Sequence, residues 1–283
     1  MDKKVFATRT ISAIVFGIIM LVGLLWNQYS FIVLTTLICG GCLWEYFGLV
    51  SSIQTYPEDK KKIFRIISTI VGLIAFLFFT IPAYNIFLTG YFVLAVPLLF
   101  LMVSLEFFSG ENRNFQNTAL NLLGIFYISI PLGLLHLLLF LQSNVHWAWF
   151  PGNVNSVLGL LLLIWANDSF AYIVGSMIGK HKIFPSISPK KSWEGFFGGM
   201  IMALLTAWLL SMWLNTISLQ DWIVISLIAT IVGTIGDLFE SMIKRNLGIK
   251  DSGSIMPGHG GFLDRFDAFI FCIPFVFAYM FLK

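Results

Sequence analysis

Long apolar runs separated by short polar connections dominate the chain. Runs able to cross about 30 Å of hydrocarbon fall near residues 10–27, 31–50, 64–82, 86–105, 119–141, 155–178, 195–214, 221–243 and 263–282. The pattern predicts about nine transmembrane helices and hence an all-α polytopic membrane protein. The first run follows Lys3, Lys4 and Arg9 and is not closed by a small-x-small cleavage site, Asn27 and Gln28 coming next. It is therefore expected to be retained as a helix and not removed as a signal peptide.

The 283 residues are 58% hydrophobic and only 11% charged, against about 25% charged in soluble domains. That excludes most soluble folds. A net charge of +3 gives no reason to expect a nucleic-acid partner; the placement of the charges is more informative. Lys3, Lys4 and Arg9 lie in the amino-terminal tail, Lys60, Lys61, Lys62 and Arg65 between the second and third runs, and Arg113 between the fourth and fifth. Lys180, Lys182, Lys190 and Lys191 follow the sixth run, and Lys244, Arg245, Lys250 and Arg265 surround the connection after the eighth. With nine spans all of these fall on one side and only Lys283 on the other, so the positive-inside rule predicts a cytoplasmic amino terminus and an outward carboxyl terminus. The expected location is a bacterial inner (cytoplasmic) membrane. Cys39, Cys42 and Cys272 all sit inside apolar runs. With no further ligand pair to complete a zinc site, they read as packing residues.

Polar chemistry gathers in the second half. Residues 1–150 read as a hydrophobic scaffold and 151–283 as a catalytic half of the same integral membrane unit, with its site facing the cytoplasm. A carboxylate inside a span costs at least ~2.5 kcal/mol, which makes each one a functional candidate. Asp168 lies in the sixth run, Asp237 and Glu240 end the eighth, and Asp264 opens the ninth. Glu45, in the second run, is expected to pair with a basic residue near the interface. Asp237, Glu240, Ser241 and Lys244 share one helix face, and Asp168, Tyr172 and Gly175 repeat that spacing. Two polar stripes are thus predicted to face each other across the bundle interior. The Gly175-x-x-x-Gly179 pair suits close helix packing within one chain or across a homodimer.

Three connections mix cations with turn residues: Ser188-Pro189-Lys190-Lys191-Ser192-Trp193-Glu194-Gly195, then Lys244-Arg245 with Lys250-Asp251-Ser252-Gly253, then Pro257 to Asp267. Gly258, Gly260 and Gly261 allow backbone N–H groups to approach an anion closely, and His259 between them is a further donor. Ordinary anchoring of cations at lipid headgroups is the plainer reading. Asp237, Asp264 and Asp267 beside these cations favour a metal-assisted phosphate site instead. An ion pathway of a transporter remains an alternative, although its polar residues should spread toward both faces.

From Ser241 to Asp267 the string S-x-I-K-R, then K-D-x-G, then P-G-H-G-G-F-L-D-R-F-D resembles the signature of the phosphatidate cytidylyltransferase (CDP-diacylglycerol synthase) family. Asp168-Ser169-Phe170-Ala171-Tyr172 and the S-P-K-K-S-W-E-G segment resemble two further blocks of that family, in the same order. The resemblance covers roughly residues 165–270. It implies a membrane nucleotidyltransferase of phospholipid biosynthesis that joins CTP and phosphatidic acid to give CDP-diacylglycerol and pyrophosphate. It also implies Mg²⁺, with more than one cation expected and the second unidentified. Asp237 and Asp264 are then the metal ligands, with Asp168 and Asp267 as weaker candidates. Lys244, Arg245 and His259 join Asp168, Asp237 and Asp264 as expected catalytic residues. Ser188, Lys190, Lys191, Ser192, Lys250, Gly258, Gly260, Gly261 and Arg265 are the expected phosphate-binding set, undivided between nucleotide and lipid. A related CTP-dependent lipid kinase is the remaining enzymatic alternative.

Overall fold

The computed structural model describes residues 3–84, 97, 100, 103–104, 107, 114–141, 151–214, 217–249, 251–253 and 260–283. The helices are α1 (Lys3–Leu25), α2 (Gln28–Val50), α3 (Glu58–Tyr84), α4 (Phe115–Gly124), α5 (Ile130–Leu141), α6 (Pro151–Ile178), α7 (Trp193–Trp213), α8 (Leu219–Asn246) and α9 (Leu263–Leu282). A π-helical turn, Ile125–Ser129, joins α4 to α5, so the two act as one span. Among the described residues seven helices are long and apolar enough to cross a membrane, and a further apolar stretch, Ile11–Leu25, is shorter. The chain is a polytopic helical membrane protein. The run near 86–105 lies mostly outside the described residues.

Local sequence explains where the helices begin. Asn27 accepts from the amides of Tyr29 and Ser30, and Ser30 answers by accepting from the Asn27 amide. Ser218 and Asp221 form the same reciprocal cap on α8. Ser192 caps α7 by accepting from the Gly195 amide at 3.2 Å, a contribution of about 1 kcal/mol.

The packing places α6, α7, α8 and α9 side by side, with α2 and α5 against α9 and with α3 against α2 and α5. Helices α6 and α7 approach so closely that a Cβ on Gly195 would lie 2.6 Å from the Ala171 carbonyl oxygen and 3.1 Å from Gly175 Cα. Within this chain, the Gly175 and Gly179 pair therefore serves the α6–α7 contact and the Ser192 cap lodged beside it. Cys39, Cys42 and Cys272 are buried free thiols, as their apolar setting predicts.

One element departs from an all-α reading. Lys182–Phe184 (β1) and Ser188–Ser192 (β2) pair antiparallel between α6 and α7. Pro185 occupies the second position of the turn, closed by the Ile187 amide donating to the Phe184 carbonyl at 3.2 Å. At the hairpin's base, the Trp193 amide donates to the His181 carbonyl at 2.9 Å, and His181 Nδ1 lies 2.6 Å from Glu194 Oε1. The segment read from sequence as a connection is thus a pinned hairpin that delivers Lys190, Lys191 and Ser192 to the bundle.

Candidate active site

The helical spacing on α6 and α8 does bring the two polar stripes together. Asp168 and Tyr172 of α6 and Asp237, Glu240 and Lys244 of α8 line one cavity of about 770 Å³. Lys190, Lys191, Ser188 and Ser192 come from the hairpin, Asp251 from the loop after α8, and Asp264, Arg265 and Asp267 from the first turns of α9. Ser12, Ala13, Phe16 and Gly17 of α1 complete the wall, so the amino-terminal half also contributes. Asp168 lies ten residues before the end of α6, about 15 Å along the helix axis, yet remains within electrostatic reach of the hairpin's Lys191.

The ion pairs divide this cavity into two parts. Lys191 Nζ meets Asp237 Oδ2 at 2.6 Å, with the Asp237 side chain 39% exposed. Ser241 Oγ donates to Asp237 Oδ1 at 3.3 Å. Deeper, Lys244 sits between two carboxylates, pairing with Glu240 one turn back and with Asp264 Oδ1 at 2.6 Å. Asp264 is further held by the amides of Gly261 at 2.8 Å and Ser252 at 3.0 Å, both donating to Oδ2. Gly260 makes that geometry attainable: its φ is +85°, and a Cβ there would meet Asp264 Oδ2 at 2.5 Å. Asp267 lies within electrostatic reach of Asp168, Asp237 and Glu240, and Asp168 within reach of Asp237.

Several expected roles look different in place. Gly261 donates its amide to Asp264, and the next two amides, of Phe262 and Leu263, go to Glu45. The described part of the glycine loop thus wraps protein carboxylates instead of presenting free amides to a phosphate. Arg245 does not line the cavity; its guanidinium donates to the carbonyls of Ile187 and Ile249, each at 3.2 Å, and ties the hairpin to the end of α8. Lys250, Gly258 and His259 lie outside the described residues. Glu45 has no ion pair among the described residues. Arg65, the nearby cation, donates to the Trp44 carbonyl at 2.6 and 3.0 Å and stacks over the Trp44 ring. Backbone donors, which leave no mark in a sequence, have taken the place of the expected basic partner.

The donor set can be tested against a divalent cation by its charge. Six carboxylates line the cavity, Asp168, Asp237, Glu240, Asp251, Asp264 and Asp267, against four cations, Lys190, Lys191, Lys244 and Arg265. A lining with excess negative charge repels a polyphosphate unless cations are added, and hard oxygen donors suit Mg²⁺. In charge and donor type the residues fit. As the side chains stand, no three of the acidic groups among the described residues are gathered tightly enough to chelate an ion; Lys191 and Lys244 hold Asp237, Glu240 and Asp264.

Fold and cavity together define a helical membrane protein that assembles acidic and basic side chains from α6, α8, α9 and one hairpin into a pocket suited to anionic ligands and hard cations. Comparison with known proteins narrows that class. The chain belongs to the cytidylyltransferase family, whose model matches residues 7–283. It is 37% identical over 180 residues to a phosphatidate cytidylyltransferase of Staphylococcus saprophyticus, an alignment covering 63% of this chain and 65% of that protein. Proteins of the same name from Staphylococcus haemolyticus and Staphylococcus aureus are each 36% identical over 181 residues, with the same coverage. The match therefore spans just under two thirds of the length of these relatives.

Proposed function

We propose that the protein is a phosphatidate cytidylyltransferase, transferring CMP from CTP to phosphatidic acid with release of pyrophosphate. The observation that carries this reading is the convergence of Asp237, Lys191, Lys244, Asp264 and Arg265 on one cavity inside an apolar bundle. A lipid phosphate needs such a place, because its acyl chains stay in the bilayer while its head meets a water-soluble nucleotide.

The chemistry requires little proton management. A phosphate monoester has a second pKa of about 6, so the lipid oxygen is already a nucleophile near neutral pH. It attacks the α-phosphorus of CTP in line; the new P–O bond forms as the bond to the β-phosphate bridging oxygen breaks, and that oxygen leaves with the electron pair as pyrophosphate. The barrier lies in bringing two polyanions together and in stabilising the leaving charge. Lys190, Lys191 and Arg265 line the cavity for that work. Lys244 balances Glu240 and Asp264 and so sets their charge toward the site. Mg²⁺, when bound, neutralises phosphate charge and polarises the α-phosphorus; Asp237 and Asp264 would hold it, with Asp168 and Asp267 close by. The partly buried rings of Phe16 and Trp165 line the same cavity, and Phe16 packs on the buried Phe266 behind it.

The same reading sets the protein in a bacterial inner membrane with nine spans, amino terminus and cavity on the cytoplasmic side. Sixteen of its seventeen Lys and Arg support that orientation. Incubating the purified protein with CTP, Mg²⁺ and phosphatidic acid and identifying the products tests the function. CDP-diacylglycerol and pyrophosphate are expected. CDP with a newly phosphorylated lipid would make it a kinase, and no CTP-dependent product would remove the reading altogether.

A further inference from the structure

We propose that Glu45, on α2 and outside the cavity, is a positioning residue that sets the loop before α9 and thereby places Asp264. The inference rests on the reading of the cavity as the site of cytidylyl transfer. Glu45 is 4% exposed, and both its oxygens are used. Oε1 accepts from the Phe262 amide at 2.9 Å, and Oε2 accepts from the Leu263 amide at 2.9 Å and from Ser252 Oγ at 3.0 Å. Nothing local supplies these bonds, because the residue before α9, Phe262, offers no side-chain cap. A helix start normally finds its acceptor within a few residues; here it comes from more than 200 residues away.

Ser252 links Glu45 to the site. Its hydroxyl donates to Glu45 and its amide donates to Asp264. The Gly261, Phe262 and Leu263 amides are likewise split between the two carboxylates. Glu45 and Asp264 therefore share the donors of Ser252 and residues 261–263, and movement of these groups on Glu45 moves those that hold Asp264. The fit is tight: a Cβ at Gly253 or Gly261 would collide with the Glu45 carboxylate. One turn earlier on α2, Gly41 leaves room for the Phe262 ring, which a Cβ there would meet at 2.6 Å. A buried carboxylate is unfavourable unless it is compensated by close partners, and both oxygens of this one are engaged by the loop.

The test uses the full chain in detergent micelles, with Glu45→Gln, Glu45→Asp and Ser252→Ala. Glu45→Gln turns one acceptor into a donor facing N–H groups; Glu45→Asp keeps the charge but is too short to reach every donor. Hydrogen exchange of the amides at 260–263, measured without substrate or Mg²⁺, should quicken at least tenfold in Glu45→Gln, with exchange in α6 and α7 unchanged. kcat/KM for CTP should fall at least tenfold and the half-saturating Mg²⁺ concentration should rise. Glu45→Asp should lie between Glu45→Gln and wild type, and Ser252→Ala should move in the same direction by a smaller factor. If Glu45→Gln does not fold, Glu45→Asp and Ser252→Ala decide alone. Unchanged exchange at 260–263 overturns the proposal, as does a loosened loop with normal kcat/KM and Mg²⁺ dependence. If the wild type makes no CDP-lipid, the functional reading fails while the exchange result still decides whether Glu45 holds the loop.

Discussion

Asp237→Asn and Asp264→Asn remove the same charge from the two carboxylates proposed to hold Mg²⁺, yet they should differ in stability. The Asp237 side chain is 39% exposed and has one ion pair, to Lys191 at 2.6 Å. Pairs so open to solvent are worth about 0–1 kcal/mol. Asp264 is 9% exposed on its side chain and accepts from Lys244 and two backbone amides. Removing one member of a buried pair costs about 3–5 kcal/mol, and hydrogen bonds to a charged group contribute about 1.5–3 kcal/mol each. Glu240 remains to hold Lys244, and an asparagine oxygen still accepts on one side, so part of the loss is recovered. The expected penalty is ~2–4 kcal/mol for Asp264→Asn and below ~1 kcal/mol for Asp237→Asn. Denaturant titration of each variant in mixed micelles measures this, alongside CDP-lipid formation, which should fall on the order of 10²-fold or more in both. Equal stabilities would refute the account of Asp264 as both anchor and ligand. More than a few per cent activity in Asp237→Asn, with unchanged Mg²⁺ dependence, would remove Asp237 as a ligand.

Gly260→Ala should destabilise by about 1–2 kcal/mol through its left-handed backbone and reduce turnover further than that suggests, because the new Cβ presses on Asp264; unfolding and turnover of one preparation check both. Lys191→Ala should lower kcat/KM by one or more powers of ten, whereas Lys60→Ala and Lys61→Ala, at the start of α3 and absent from the cavity wall, should leave it near wild type; equal small losses would reduce the clustered cations to topology signals. Cysteines at Lys61 and Gln220 should be labelled from opposite sides of the membrane, Lys61 from the cytoplasm, and labelling of both from one side would overturn the nine-span arrangement.

What the sequence discloses depends on how far its partners lie along the chain. The stripe of Asp237, Glu240 and Lys244 is legible because a helical period of 3.6 makes neighbours of residues three and four apart, and the structure turns all three into one cavity. The Ser192 cap is three residues from its partner amide and is equally local. The hairpin is harder to see: three- and five-residue strands containing lysines carry no alternating apolar signal, and only Pro185 hints at the turn. Arg245 shows the limit of reading charge alone. Beside Lys244 in sequence, it points about 100° away around the helix, and so its guanidinium reaches carbonyls outside the cavity while Lys244 faces into it. Glu45 shows the same limit more strongly. A lone carboxylate in an apolar run suggests a missing cation, because in sequence only side chains have identities. Its actual partners include two backbone amides, which every residue except proline possesses, brought to it by the packing of α2 against the start of α9. A buried carboxylate without a cation nearby in sequence is therefore as much a sign that a distant helix start requires capping as a sign of an ion pair, and only the packed chain distinguishes the two.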